Sequence, residues 1–480
     1  MTDTFDAIVI GAGVNGLAAA AYLTRAGRRV VVVERRSEPG GLCGQAALAD
    51  GISVPGIAHA FYALDPQLVG DLDLTGHGLR FSMRDAPSVL IRTNSEPLVL
   101  GHDIRRAQRS IAGYSKADAD AFVRYRNQMF GLGRTARALW WKEGQARDEL
   151  FDRLALTGAA AWLDSWFESD ALKALLAFDS VAASPLAAGS SLLLVWRAAQ
   201  EMCGLQGAVA FPAGGPAALV NALTAACARA GVAIRTNATV AELIMDGMTV
   251  NGVRLDTDEE FRAPVVVSSL SRRATLMHLA KGKGLGLNML RSLEASPPPA
   301  AAAKINFALE ALPDWGDLPA DGRFIFAETL ESYALAHAAS LRGALPDDLV
   351  MDVVCSRNSV PERGAAVSVA IHPVPQHVEG GWEAAKQLLA AKVLQRLERA
   401  LPGIVKRAVA ADVITPDDLR LRYGLEFEHL DVRHLRLDWT DRVRTPLDGL
   451  LLCGASVEPV AAVSGRAGRI AAAIATRNAP

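Results

Sequence analysis

Cysteine is scarce in this chain. There are five in 480 residues, Cys43, Cys203, Cys227, Cys355 and Cys453, scattered and never in C-x-x-C. An odd, dispersed set supports neither a disulfide framework nor a zinc site, and a reducing cytoplasmic setting is expected. The missing C-x₄-C pair argues against a disulfide reductase. Charge of one sign is also lacking: 50 Lys and Arg face 52 Asp and Glu, a net charge of −2. Without a basic excess or a Lys/Arg block, neither nucleic acid nor an electrostatic membrane patch is expected. No secretory signal is read in polar Met1 to Phe5. The most apolar helical stretch, Ala187 to Ala199, is too short and too interrupted for a transmembrane segment, although peripheral membrane contact stays open. G-x-S-x-G, H-E-x-x-H and the P-loop are absent, so hydrolase triads, zinc and phosphoryl transfer have no support, and no metal is expected. Repeats and low-complexity linkers are missing too.

What the chain does have is length and apolar material. Half its residues are hydrophobic and the mean hydropathy is +0.18, enough for a large core and two or three domain-sized units. The strongest motif lies at the start. Asp6 to Ile10 reads as a buried strand, Gly11, Gly13 and Gly16 form G-x-G-x-x-G, and Leu17 to Ala26 reads as a helix. Arg29 to Val33 is a second strand that ends at Glu34. Gly11 permits a tight turn, Gly13 lets a pyrophosphate approach the backbone, and Gly16 allows close packing. The helix N-terminus, around Val14 and Asn15, offers free N–H groups to phosphate. Glu34 is spaced to accept hydrogen bonds from a ribose. A glycine turn in some other α/β fold is the plainer alternative.

Further along, Pro212 to Pro216 opens a helix over Ala217 to Ala230. Strand-like runs follow at Val232 to Arg235, Thr239 to Met245, Val250 to Leu255 and Ala263 to Ser269, with turns expected at Asp246-Gly247 and Asn251-Gly252. Near the end, Gly449 to Ser456 reads as strand and loop, and Val463 to Arg469 opens a helix over Ile470 to Ala475. Between these pieces, residues 81–204 read as helical, with apolar spacing over Ala117 to Trp141, Ala171 to Ala182 and Leu186 to Met202. Residues 276–439 read as mixed: strands at Ala302 to Leu309, Leu349 to Cys355 and Ala365 to His372, and a helix at Glu383 to Leu401.

Glu34-Arg35-Arg36 followed at short range by Gly40-Gly41-Leu42 resembles the extended FAD fingerprint of the glutathione-reductase-like flavoproteins. A simple NAD dehydrogenase would instead run straight into another βα unit. With Phe211 to Gly215, Thr415 to Leu419, and Arg444 to Leu450 leading to Cys453-Gly454-Ala455, the chain resembles, nearly end to end, the phytoene desaturase-like flavoproteins of the amine-oxidase-type superfamily. The similar branch is that of the pyridine nucleotide-disulphide oxidoreductase domain-containing proteins.

The resemblance implies an α/β protein. A discontinuous glutathione-reductase-like Rossmann FAD domain (1–80, 205–275 and 440–480) would be joined to an α+β substrate domain (81–204 and 276–439). It implies non-covalent FAD held by Gly11, Gly13, Val14, Asn15, Gly16, Glu34, Arg35, Arg36, Gly40, Gly41 and Leu42. Val240 would touch the adenine end, while Gly454, Ala455, Val463 and Ser464 would lie by the flavin.

The activity implied is that of an FAD-dependent dehydrogenase or oxidase, taking a hydride from a C–C, C–N or C–O bond of a largely apolar small molecule onto flavin N5. A non-redox flavin-dependent isomerase and a non-catalytic flavin-binding scaffold are the alternatives. Lys304, in the otherwise apolar run Ala302 to Phe307, corresponds to a lysine that amine-oxidase relatives bridge to the flavin through water; an exposed strand lysine is the other reading. His59 and Tyr62 lie on a segment that passes the flavin ring in relatives. Glu428, beside His429, and Glu458 are the remaining titratable candidates. Glu458 to Ala462 departs from the family's His-Pro-Gly-Gly-Gly run, so a family substrate such as phytoene is not carried over. Trp140, Trp141, Trp162, Trp166 and Trp196 are candidate walls of an apolar tunnel, or simply core.

Overall fold

The computed structural model describes residues 3–140, 149–181, 184–294, 300–357, 364–425, 442–458, 460 and 462–477. Five short apolar strands build a parallel sheet in the order Ala233–Arg235, Val30–Val33, Ala7–Ile10, Val266–Ser268, Leu450–Leu452. Because side chains alternate along a strand, continuous apolar runs feed two cores at once. Ala7, Val9, Val30 and Val32 pack under the helices Val14–Arg25, Ala217–Ala230 and Arg466–Arg477. Ile8, Ile10, Val31 and Val33 point the other way, against Leu243, Val250, Val253 and Phe261 of a four-stranded sheet. That sheet contains the hairpin Val240–Asp246 and Thr249–Leu255, turning at Asp246-Gly247. The second expected turn, Asn251-Gly252, is instead inside the Thr249–Leu255 strand, where the register shifts opposite Ile244 and Met245.

A second, seven-stranded sheet runs in the order Ala408–Ile414, Ala300–Leu309, Ala365–Pro375, Met351–Arg357, Arg323–Phe326, Ser88–Ile91, Leu98–Leu100. Residues 81–204 are therefore not helical throughout: they open with Phe81–Met83, Ser88–Ile91 and Leu98–Leu100 as strands. These runs are too short to show a period in sequence, and they become strands by pairing with distant partners. The helices Lys116–Trp140, Asp170–Ala177 and Ser191–Ala199 follow.

The two faces of the seven-stranded sheet differ sharply. Ala303, Ile305, Phe307, Phe324, Phe326, Met351, Val353, Val367 and Val369 pack with Leu389, Val393 and Leu397 of the helix Trp382–Ala400. By alternation the opposite face carries Lys304, Asn306, Arg323, Asp352 and Ser368, all buried. Lys304 pairs with Ala370, and Ala370 pairs with Asp352, so the three share one row across adjacent strands. The residue between the lysine and the aspartate thus carries only a methyl group.

Candidate active site

The first helix begins at Gly13 with no side-chain cap and no acidic residue in its first turn. Its N-terminal N–H groups are thereby left for an anionic partner. Gly11 has φ +90°, and a Cβ there would run into the Ser269 hydroxyl. Gly13 faces a second glycine turn: the nearest atom to a Cβ built on it is Gly41 Cα at 4.0 Å. The Asn15 side-chain oxygen is buried without a hydrogen-bond partner. An uncapped helix end and an open glycine cradle together fit the diphosphate of a dinucleotide, and the orphaned Asn15 oxygen, an acceptor, fits a hydroxyl or N–H donor of such a ligand.

The rest of this cradle is tied together through backbone. The buried Glu34 carboxylate accepts from Ala12 N at 2.7 Å and Arg36 N at 2.9 Å. Ala238 N donates to Glu34 O at 2.9 Å, which fixes the entry to the Val240 strand. Arg35 donates to Arg422 O at 2.9 Å, while Arg36 lies 5.4 Å from the Tyr423 ring centroid. Gly40 N donates to Ala12 O at 2.9 Å, joining the two glycine turns. Leu42 O accepts from Ile57 N and Ala58 N, each at 3.0 Å, so the glycine pair directly positions the segment that carries His59. Gly454 and Ala455 follow the last strand of the parallel sheet, and Val463 and Ser464 lead into the last helix.

Three groups close the centre of the molecule. Lys304 Nζ is hydrogen-bonded to His59 Nδ1. His59 Nε2 is 3.3 Å from Asp352 Oδ2. An Nε2–H tautomer donates to the carboxylate and leaves Nδ1 to accept from Lys304. The imidazole bridges the lysine and the aspartate across the row in which Ala370 is the small member. Asn306 Nδ2 donates to Pro55 O at 2.8 Å, and Ser368 Oγ donates to Asn306 Oδ1 at 2.6 Å, clamping the sheet to the His59 segment. Behind Asp352, Arg323 Nε donates to it at 2.9 Å, and Arg323 Nη1 lies 3.5 Å from Asp179, which is also 3.7 Å from Arg197 Nε.

Burial sets the electrostatics. Desolvation, opposed by Asp352, brings Lys304 down to about 7. Desolvation and the Lys304 charge hold His59 below its ordinary value. Burial alone would raise Asp352, but Arg323 and His59 outweigh it and keep the carboxyl well below the usual carboxylate range. Tyr62 meets Trp196 edge-on, with ring centroids 6.1 Å apart, and the Arg197 guanidinium lies 5.1 Å from its ring.

The structure thus joins two of the sequence candidates, Lys304 and His59, and carries Tyr62 at the far end of the same charge chain. Glu458 bonds elsewhere: its carboxylate accepts from Ser464 Oγ, and burial raises its pKa against the pull of Arg466. Glu428 and His429 lie outside the described residues. Asp352, Arg323, Asp179 and Arg197 escaped the sequence reading, although the cue that singled out Lys304, a lone charge in an apolar run, marks Asp352 and Arg197 as well.

A cavity of about 170 Å³ opens beside Arg323 and Arg197. Phe122, Tyr125, Met129 and Phe130, spaced along one face of the helix Lys116–Trp140, form its apolar wall. The tryptophans do not wall this cavity: Trp140, Trp162, Trp166 and Trp196 are absent from its lining, and Trp141 lies outside the described residues. Their bulk is spent on the helical core, and Trp196 sits about 100° around its helix from the cavity-facing Arg197.

A dinucleotide cradle, a parallel sheet beneath it and a buried lysine relay facing it define a flavoprotein oxidoreductase. The chain belongs to the FAD dependent oxidoreductase family, whose model matches residues 6–285. It is 31% identical to pyridine nucleotide-disulfide oxidoreductase domain-containing protein 2 of Rattus norvegicus, over 99% of this chain and 94% of that one. It is 26% identical to the neurosporene-forming phytoene desaturase of Cereibacter sphaeroides, over 97% and 93%. Among solved structures, putrescine oxidase bound to putrescine shares the fold, with a TM-score of 0.69 at 18% identity over 99% of each chain. The cofactor is FAD and the protein is an oxidoreductase. The five cysteines are free, Cys43, Cys227 and Cys453 being buried, so the disulfide in the rat relative's name has no counterpart here. Among the described residues no group of three or more side chains could hold a metal ion, and no helix is long and apolar enough to cross a membrane.

Proposed function

We propose that the protein is a dehydrogenase or oxidase for a small, largely apolar molecule. It removes two electrons from a C–C, C–N or C–O bond while Lys304 takes, or relays through a water, the proton that leaves with them. Non-covalently bound FAD supplies the two-electron acceptor. The observation that carries this reading is the buried Lys304–His59–Asp352 relay on the sheet face that meets the His59 segment. A lysine brought down to about 7 is substantially neutral at physiological pH and can accept a proton at Nζ. His59 keeps that amine oriented through Nδ1, and Asp352, ionised and anchored by Arg323, holds the His59 tautomer. The aromatic and aliphatic wall of Phe122, Tyr125, Met129 and Leu194 supports a largely apolar substrate body. Residues 1–80, 205–275 and 440–480 serve in this reading as the cofactor-holding unit, with the remainder covering the substrate.

The test is anaerobic flavin reduction by substrate, followed near ~450 nm as a function of pH. The rate should rise with pH through about 7, as Lys304 loses its proton, and then level off. Lys304→Met should lose this step and slow reduction by roughly 10²–10⁴-fold. A Lys304→Met profile that keeps the wild-type step sinks the role given to Lys304. A product of unchanged mass, formed without bleaching, would point to the isomerase instead.

A further inference from the structure

We propose that the cavity beside Arg197 binds a carboxylate-bearing small molecule with a single aromatic ring or a short alkyl body, its carboxylate accepting from the Arg197 guanidinium. Arg197 is 8% exposed and lines the cavity, yet its Nη1 is buried with no hydrogen-bond partner. Its Nη2 is satisfied by Gly207 O at 2.9 Å. Its nearest counterion, Asp179, is 3.7 Å from Nε and is shared with Arg323 at 3.5 Å, so neither contact is a hydrogen bond. A buried cation with an unmet N–H donor is costly unless a ligand supplies the acceptor.

The surroundings select the ligand's charge and size. Three guanidinium groups, Arg126, Arg197 and Arg323, face the cavity against two carboxylates, Asp85 and Asp179. Asp85 is already taken by His102 at 2.6 Å, and the far side of Arg323 by Asp352. An anion therefore improves the balance at Arg197, whereas a cation would compete with it. The opposing wall of Phe122, Tyr125, Met129 and Phe130 has no charge to offer and favours an apolar body. At about 170 Å³ the space is comparable to a cavity of about 150 Å³ that accepts benzene, so one ring plus a carboxylate fits. This deepens the proposed function, resting on it only for the claim that the occupant is a substrate or its analogue. Anion binding itself is read without turnover.

The probe is benzoate, titrated calorimetrically into the FAD-loaded protein beside benzamide, which has the same shape without the charge. Benzoate should bind at least tenfold more tightly than benzamide. Arg197→Met should erase that preference and leave benzamide unchanged. Met129→Trp should fill the cavity and abolish binding of both. Equal affinity for the two probes on the wild-type protein overturns the proposal, even if Arg197→Met fails to fold. So does a preference for benzoate that survives Arg197→Met, or binding of either probe that survives Met129→Trp. Loss of the pH step in flavin reduction would instead count against the Lys304 reading and leave these titrations untouched.

Discussion

Replacing Asp352 by asparagine removes one charge from the relay while keeping its shape. Two consequences can be worked out from the geometry. The first is stability. Asp352 Oδ2 is 2.9 Å from Arg323 Nε and 3.3 Å from His59 Nε2, with Asp352 and Arg323 buried and the His59 side chain 10% exposed. Breaking such a pair from one side costs about 3–5 kcal/mol. Arg323 keeps Asp179 at 3.5 Å, the face of Phe178 at 4.9 Å and the amide oxygen as an acceptor, so a loss near the lower end, about 3 kcal/mol, is expected. Because the folded pKa of Asp352 is depressed, its contribution is fully present above the unfolded carboxylate value and fades as pH falls through the folded one. The titration of Asp352 itself should therefore add no pH dependence to the gap between wild type and Asp352→Asn from neutral to mildly acidic pH, where the gap should widen only as Lys304 takes up its proton. The second consequence concerns the proton. Asp352 raises both Lys304 and His59, so its neutralisation lets both fall further. The step in flavin reduction near 7 should move to lower pH, by on the order of one unit or about 1.4 kcal/mol. Urea denaturation measures the first effect and stopped-flow reduction across the pH range the second. A folded, FAD-replete variant whose step stays in place, or moves to higher pH, would refute the electrostatic link between Asp352 and Lys304.

Two further changes probe the cradle and the row. Gly13→Val should release FAD, because branched carbons would fill the space between Gly13 and Gly41 Cα, 4.0 Å from a Cβ at that position; purified protein that stays fully yellow contradicts the placement of the diphosphate. In the wild type, acid precipitation should leave a colourless pellet and a yellow supernatant, as non-covalent attachment requires. Ala370→Leu should push His59 out of the bridge between Lys304 and Asp352. The expected signature is a lost or broadened pH step with FAD content unchanged, and a crystal structure showing His59 undisturbed would refute it.

What could be read in advance depended on how local the cause was. The Ala7–Ile10 and Val30–Val33 strands, the glycine turn and the helix after it are each fixed by a few neighbouring residues. Pattern sufficed to read them, and the family resemblance extended that reading to the cofactor. The strands at 88–91 and 98–100 gain their identity only by pairing, the first with Arg323–Phe326, more than two hundred residues away. Nothing within those few residues announces it.

The relay shows the same division within a single site. Lys304 stood out because burying an ammonium in an apolar strand demands a reason. Its partners could be named only after register was known, since Lys304 and Asp352 share a row through Ala370, and His59 arrives from another sheet's connecting loop. Asp352 and Arg197 each carry the same anomaly of a charge among apolar neighbours. That anomaly identifies which side chains must be reconciled inside the fold, but not with whom. Here the reconciliation runs in one direction. Arg323 fixes Asp352, Asp352 holds His59, and His59 orients Lys304, while Asp179 is left divided between Arg323 and Arg197. The charge chain is therefore joined by hydrogen bonds where it meets the lysine, with Asp352 Oδ1 left over, and held only by longer ion pairs at Asp179 where it meets the cavity. This is the gradient expected if one end is built to move a proton and the other to receive a ligand.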